Sequence, residues 1–188
     1  MNRFSIIGIK LSEINYQSFN ILRTSNLLTS QATLLILEID MRIGVPSEIK
    51  NHEYRVGLIP AGVRELVLNG HEVILQSNAG AGIGYLDDAY VAAGAQIVET
   101  AEEIFAESDM IVKVKEPQAS ERKMLRPDQT LFTYLHLAPD LPQTTDLIES
   151  GSTCIAYETV TDAMGRLPLL APMSEVAGRM SIQAGAMC

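Results

Sequence analysis

Apolar and polar positions alternate along residues 42–157 with two different periods. Short runs such as "EVILQ" are rich in apolar residues and have the length of a buried strand. Between such runs the apolar residues recur at helical spacing, and Val63, Leu66 and Val67 share one face of a predicted helix that ends near Gly70. Strands are predicted at "RIGVP", "EVILQ", "AQIV", "DMIVKVK", "TLFTYL" and "TCIAY", and helices at "AGVRELVLNG", "DDAYVAAG", "TAEEIFAES", "ASERKML" and "LPQTTDLIES". This alternation predicts an α/β fold with a mainly parallel, doubly wound sheet and helices on both faces.

The pattern changes twice along the chain. Residues 1–40 lack proline and the regular alternation, and we interpret them as an N-terminal extension, with a genuine N-terminal strand and helix as the alternative. Residues 41–171 carry the alternating pattern and form the predicted domain. Residues 172–188 predict a helix that starts near Pro172 or Ser174 and runs to the last residue. An apolar helix at that position suggests a linker toward a further domain.

Composition narrows the classes of partner. The formal net charge of -9 and the isoelectric point near 4.8 argue against nucleic acid as a partner, because phosphate binding needs clustered positive charge. No apolar run approaches the length of about 20 residues that crosses a bilayer, and the N-terminus lacks the features of a signal peptide. Cys154 and Cys188 fit no metal-ligand spacing, so no metal site and a reducing, cytoplasmic compartment are expected.

A glycine cluster, "SNAGAGIGYLDD", lies between a predicted strand and a predicted helix. Gly80, Gly82 and Gly84 lack the two-residue gap before the third glycine that dinucleotide-binding loops require, and the helix starts only near Asp87. A structural loop is therefore favoured over a phosphate cradle.

Three cationic side chains follow or interrupt predicted strands. Arg55 lies after the first strand, where it is either a solvated loop residue or a guanidinium that binds a carboxylate with two hydrogen bonds. Lys113 and Lys115 share one face of "DMIVKVK", and either both reach water or Lys115, nearer the carboxyl end, binds a substrate carboxylate or carbonyl oxygen. In an open α/β sheet, ligands bind at the carboxyl ends of the strands.

His136 follows the predicted strand "TLFTYL". A lone histidine in apolar surroundings is more often structural than catalytic. In a doubly wound sheet, however, Arg55, Lys115 and His136 would converge on one crevice. Two cations and a titratable imidazole would suit a small anionic substrate with a carbonyl group.

Several stretches together resemble the alanine dehydrogenase family in its N-terminal, Rossmann-like substrate domain. The matching stretches are "RIGVPSEIKNHEYRVGLIPAGV", "GHEVILQSNAGAGIGYLDDAYVAAGAQIV", "DMIVKVKEP", "LFTYLHLAP", "AYETV" and "LPLLAPMSEVAGRMSIQAGA". They follow the family's order across almost all of the chain beyond residue 40. The related transhydrogenase alpha subunit shares several of them, but its counterpart of "TYLHLAP" typically lacks the histidine, so His136 favours the dehydrogenase.

The resemblance implies NAD-linked conversion of L-alanine into pyruvate and ammonia. It assigns Arg55 and Lys115 to the substrate carboxylate and carbonyl oxygen, His136 to acid-base catalysis, and Ser174 to a contact with NAD. It also implies a homo-oligomer for the complete enzyme and no membrane partner. The alternatives are a transhydrogenase alpha fragment and a stand-alone binding module for pyruvate or an amino acid.

The family's nucleotide-binding domain has no counterpart in the chain. Hydride transfer needs the cofactor held against the substrate. We therefore expect the chain to be a partial enzyme that has negligible dehydrogenase activity alone.

Overall fold

The computed structural model describes residues 41–188, which divide into two compact units, residues 41–159 and residues 160–188. The proposed extension, residues 1–40, lies outside the described residues. The domain boundary proposed at residue 171 stays a prediction.

The first unit contains six strands and five helices in alternation. The strands are β1 (Arg42–Val45), β2 (Glu72–Gln76), β3 (Gln96–Val98), β4 (Met110–Val112), β5 (Thr130–Thr133) and β6 (Thr153–Ala156). The helices are α1 (Pro60–Leu68), α2 (Asp87–Ala93), α3 (Ala101–Glu107), α4 (Ala119–Arg122) and α5 (Leu141–Ser150). Two short 3-10 turns, Ala81–Ile83 and Tyr157–Thr159, were not predicted from the sequence.

The strands form one sheet in the order β3-β2-β1-β4-β5-β6, and each neighbouring pair is parallel. The prediction of a parallel, doubly wound α/β fold is thus confirmed. The order reverses between β1 and β4, because the chain adds β2 and β3 on one side of β1 and β4 to β6 on the other. Such a reversal opens a crevice at the carboxyl ends of the strands.

Helices cover both faces of the sheet. Successive residues of a strand point to opposite faces, and β2 shows this directly: Val73 and Leu75 belong to one buried cluster and Ile74 to the other. The first cluster includes residues of α1 and α2, such as Tyr90, and the second includes residues of α3 and α5, such as Phe105. Because both faces are covered, the strands read as nearly continuous apolar runs.

Helix ends follow local chemistry. Thr100 caps α3: its hydroxyl accepts a hydrogen bond from the Glu103 N–H, and the Glu103 side chain accepts one from the Thr100 N–H. The Asp140 side chain likewise accepts a hydrogen bond from the Gln143 N–H at the start of α5. Gly151 ends α5 in the left-handed conformation, with φ of 70°.

The second unit contains α6 (Ala171–Ala186). This helix begins one residue before Pro172. Ser174 lies inside its first turn and does not cap it, since the cap position is Leu170. Among the described residues, no helix is long and apolar enough to cross a membrane.

Candidate functional site

Four loops at the carboxyl edge of the sheet carry the candidate site. Arg55 follows β1, Lys115 follows β4, His136 follows β5 and Glu158 follows β6. These four strands are neighbours in the sheet, so their carboxyl ends lie side by side. Arg55, Lys115 and His136 therefore follow neighbouring strands at one edge of the sheet, together with a carboxylate that the sequence analysis did not single out.

The Arg55 guanidinium is oriented by Glu53. Its Nε lies 2.8 Å from Glu53 Oε1 and its Nη2 lies 2.6 Å from Glu53 Oε2, while the Arg55 N–H also donates to Oε1 at 3.0 Å. The Glu53 side chain is 9% exposed and the Arg55 side chain 45% exposed. Arg55 is thus neither a freely solvated loop residue nor a buried one: a nearly buried carboxylate fixes it at the surface of the crevice.

Electrostatics connect this pair to Lys115. Hydrogen bonding from Arg55 lowers the pKa of Glu53 to about 2, and the Lys115 ammonium contributes to the lowering. Hydrogen bonding to Glu53 raises the pKa of Arg55, and Glu48 contributes to that rise. Arg55 and Lys115 therefore act on the same carboxylate.

Two glycines allow close backbone contacts around the loop that carries Arg55. A Cβ on Gly82 would lie 2.6 Å from the Tyr54 carbonyl oxygen, and a Cβ on Gly57 would lie 2.5 Å from the Val112 carbonyl oxygen. Only glycine lets these backbones approach so closely. Gly80 is equally confined by the ring of Tyr90. These contacts support the structural interpretation of the glycine cluster.

We expect Arg55→Ala to raise the pKa of Glu53 from about 2 toward its ordinary value of 4.5. Because the folded-state pKa is depressed, the pairing stabilises the fold above pH 4.5, and this stabilisation is lost as the pH falls through about 2. NMR titration of the Glu53 carboxyl measures the shift. Arg64→Ala, an exposed change on α1, serves as the control. An unchanged titration of Glu53 in Arg55→Ala would contradict the assigned cause.

Lys113 is fully buried, which rules out the alternative in which both lysines reach water. Its side chain is 0% exposed, and its Nζ lies 2.6 Å from Glu121 Oε1 and 3.2 Å from Glu48 Oε2. Each of these carboxylate side chains is only 2% exposed. The physical reason is that two buried carboxylates pair with the ammonium, so its charge is compensated without water.

Lys115 is the accessible lysine. Its side chain is 32% exposed, and its Nζ lies 3.7 Å from Glu116 Oε2. Lys50 bonds the other oxygen of Glu116. Burial opposes ionisation of Glu116, but the hydrogen bond from Lys50, aided by Lys115, holds its pKa below the ordinary value. The Lys115 ammonium is thus partly exposed, and a neighbouring carboxylate balances its charge.

His136 is exposed and its backbone is left-handed, with φ of 51°. Glu158 accepts the N–H of His136 at 2.7 Å and that of Leu135 at 3.2 Å, and the Gln143 amide donates to the Leu135 carbonyl at 2.5 Å. A non-glycine residue with positive φ stores strain and persists where its surroundings hold it. Because the His136 side chain is exposed, the alternative of a histidine buried in the core is excluded.

Two tyrosines, Tyr134 and Tyr157, lie close to His136 and Glu158 along the chain and contact each other. The Tyr134 ring lies 4.9 Å from that of Tyr157, in an edge-on contact. Burial raises the pKa of Tyr134, the Arg55 guanidinium opposes this rise and the Glu158 carboxylate adds to it. Tyr134 therefore lies within electrostatic reach of both the arginine and the carboxylate that holds the His136 loop.

Ser174 lies in the second unit, exposed on α6. Its contact with a cofactor stays a prediction. In the described part of the chain, no cluster of metal-ligating side chains is present.

Sequence reasoning missed the carboxylates Glu48, Glu53 and Glu158. A signal for Glu158 existed, because it follows β6 as the cationic residues follow their own strands. Glu53 lies two residues before Arg55, where a bidentate pair can form locally. Glu48 gave no signal, since its partners lie 66 and 67 positions away.

Comparison with known proteins gives consistent matches. The family described as "Alanine dehydrogenase/PNT, N-terminal domain" matches residues 44–177. Proteins named alanine dehydrogenase from Halomonas elongata and Mycobacterium tuberculosis are 58% and 56% identical over 146 residues, which is 78% of this chain. The chain spans 39% of the length of each of these relatives.

Solved structures agree with this result. A structure titled L-alanine dehydrogenase matches with a TM-score of 0.74 and 52% identity, over 78% of this chain and 40% of that one. A transhydrogenase from Sinorhizobium meliloti matches with a TM-score of 0.59 and 24% identity, over 62% of this chain and 35% of that one. At that identity the second likeness reflects the shared fold.

Proposed function

Since the chain belongs to the alanine dehydrogenase/PNT N-terminal domain family, we propose that residues 41–159 bind the substrate of an amino-acid dehydrogenase that interconverts L-alanine and pyruvate. The observation that carries the proposal is the position of Arg55, Lys115 and His136. They follow three strands that are neighbours where the strand order reverses. Ligands of open α/β sheets bind at such a reversal.

Each side chain has a distinct role in this proposal. The Arg55 guanidinium, oriented by Glu53, binds the substrate carboxylate. The Lys115 ammonium binds the carbonyl oxygen of pyruvate and stabilises negative charge that develops there. A ring nitrogen of His136 donates a proton to that oxygen as ammonia adds to the carbonyl carbon, and accepts it in the reverse direction. Imidazole suits this role because its ordinary pKa lies near neutrality.

The proposed cofactor is NAD, which supplies hydride transfer when bound. Among the described residues, Ser174 is the candidate contact, through a hydroxyl exposed on α6. The glycine cluster does not fit a dinucleotide, since Gly80 and Gly82 already pack against Tyr90 and Tyr54. The glycine cluster is therefore not assigned to NAD in this proposal.

Two further expectations accompany the proposal. Homo-oligomeric assembly and a cytoplasmic location stay predictions. Both cysteines are free, with Cys154 buried and Cys188 exposed, which agrees with a reducing compartment. The transhydrogenase alternative is not favoured, because that match is more distant than the matches to alanine dehydrogenases.

We expect the purified chain to bind pyruvate, and Arg55→Ala and Lys115→Ala each to weaken binding at least about tenfold. A charge-assisted hydrogen bond contributes about 1.5–3 kcal/mol, which corresponds to this factor or more. Isothermal titration calorimetry with pyruvate measures the affinities.

Lys123→Ala is the matched control, because Lys123 is an exposed lysine next to α4 and lies outside the proposed site. Its affinity should equal that of the unchanged chain. Equal affinities in Lys115→Ala and Lys123→Ala would refute the assignment of Lys115. Absence of binding to the unchanged chain would count against a substrate site that functions within residues 41–159.

A further inference from the structure

Glu48 lies in the loop after β1 but contacts the segment that follows β4. Its Oε1 accepts hydrogen bonds from the Val114 N–H at 2.6 Å and the Lys115 N–H at 3.2 Å. A single carboxylate oxygen thus holds two successive peptide groups, the second of which belongs to the accessible lysine. Hydrogen bonds to a charged acceptor are stronger than those to a neutral one.

The carbonyl group of Lys115 also accepts a hydrogen bond. The Thr133 hydroxyl, at the end of β5, donates to the Lys115 carbonyl at 2.9 Å. The backbone of Lys115 is therefore fixed between Glu48 and Thr133, that is, between the loop after β1 and the end of β5.

Buried charge keeps Glu48 in place. The Glu48 Oε2 atom lies 3.2 Å from Lys113 Nζ. The Oε1 atom of Glu121 lies 2.6 Å from the same ammonium. Glu121 in turn accepts the N–H of Gln118 at 2.7 Å, and among the described residues it forms no hydrogen bond with Val114 or Lys115. The two carboxylates thus share Lys113, but Glu48 alone of the pair holds the Lys115 segment.

We propose that Glu48 is a positioning residue, which fixes the backbone of Lys115 so that its ammonium meets the substrate oxygen at the crevice. This inference rests on the proposed function. Glu48 touches no substrate in this account, and it acts through the peptide groups of Val114 and Lys115. The ion pair with Lys113 holds the Glu48 carboxylate in place, which gives the buried Lys113 ammonium a role next to the Lys115 segment.

Glu48→Ala and Glu121→Ala form a matched pair, since each removes one buried carboxylate from Lys113. Hydrogen exchange of the Val114 and Lys115 amides, followed by NMR, reports positioning without any ligand. Calorimetry with pyruvate reports its consequence. We expect Glu48→Ala to speed exchange and to weaken pyruvate binding, each about tenfold, whereas Glu121→Ala should change both by less than about threefold.

Glu48→Gln keeps one oxygen acceptor and should fall between Glu48→Ala and the unchanged chain in both measurements. It also maintains the test if Glu48→Ala does not fold. Equal effects of the Glu48 and Glu121 changes on exchange and binding would overturn the proposal. If the unchanged chain binds no pyruvate, the proposed function fails, while faster exchange only in the Glu48 variants would still support the positioning role.

Discussion

Lys113→Met is expected to lower the free energy of unfolding by about 3–5 kcal/mol, because removing one partner of a buried ion pair leaves uncompensated buried charge. Here two carboxylates, Glu48 and Glu121, would lose their shared ammonium, and each is only 2% exposed. Methionine keeps a similar length and apolar stem, so the change removes mainly the charge. Urea unfolding followed by circular dichroism measures the loss.

The exposed change Lys123→Met provides the baseline and should cost less than about 0.5 kcal/mol. The triple change Lys113→Met, Glu48→Gln and Glu121→Gln should recover part of the loss, since these three positions then carry no buried charge. A Lys113→Met chain as stable as Lys123→Met would show that the cluster is not held by its charges. A triple variant less stable than Lys113→Met would show that the carboxylates contribute mainly by hydrogen bonding.

The fold was predictable because each local signal agreed with its neighbours. "EVILQ" is too short and too apolar for an amphipathic helix, and β2 occupies the residues of that run, Glu72–Gln76. The order of the strands in the sheet could not be predicted from such local signals. It depends on which faces the helices cover, and both sides of the sheet bury similar aliphatic side chains, such as Val73 and Ile74.

Strand ends were harder to predict than strand centres. "DMIVKVK" reads as a strand through Lys115, yet β4 ends at Val112. The pairing with β5 does continue briefly, since the Lys113 N–H donates to the Phe132 carbonyl at 3.1 Å. What replaces the regular ladder is Glu48, which captures the next two N–H groups. The Tyr134 N–H still donates to the Val114 carbonyl at 3.2 Å, so backbone and side-chain acceptors alternate at this strand end, a pattern that the segment's own sequence does not indicate.

The cations of the site could be found from the sequence, but their partners could not. Lys115 stands out because it interrupts an apolar, strand-like run, and Arg55 because it lies in the loop between the first strand and the first helix. Each is accompanied by a carboxylate, Glu53 or Glu116, that looks like ordinary surface charge in the sequence. Carboxylates are common in a chain with formal charge -9, so their positions carry little information until the fold brings them to the site.

Glu158→Ala is expected to lower the free energy of unfolding by about 3 kcal/mol, because two N–H groups lose a charged acceptor. Those groups belong to Leu135 and His136, and they hold His136 in its left-handed conformation. Glu158→Gln should cost less, since it keeps one acceptor oxygen. Glu149→Ala, an exposed change on α5, is the control and should be nearly neutral. Denaturant unfolding at neutral pH compares the three.

A second substitution separates loss of hydrogen bonds from release of strain. His136→Gly should be more stable than His136→Ala by about 1 kcal/mol, because a Cβ is unfavourable at φ of 51° and glycine has none. In the Glu158→Ala background this difference should shrink, since the loop is then no longer held in the left-handed conformation. An undiminished difference would mean that Leu135 and its Gln143 contact hold the loop without Glu158. The expected decrease would show that the Glu158 carboxylate, which accepts the N–H groups of Leu135 and His136, maintains the left-handed backbone of His136.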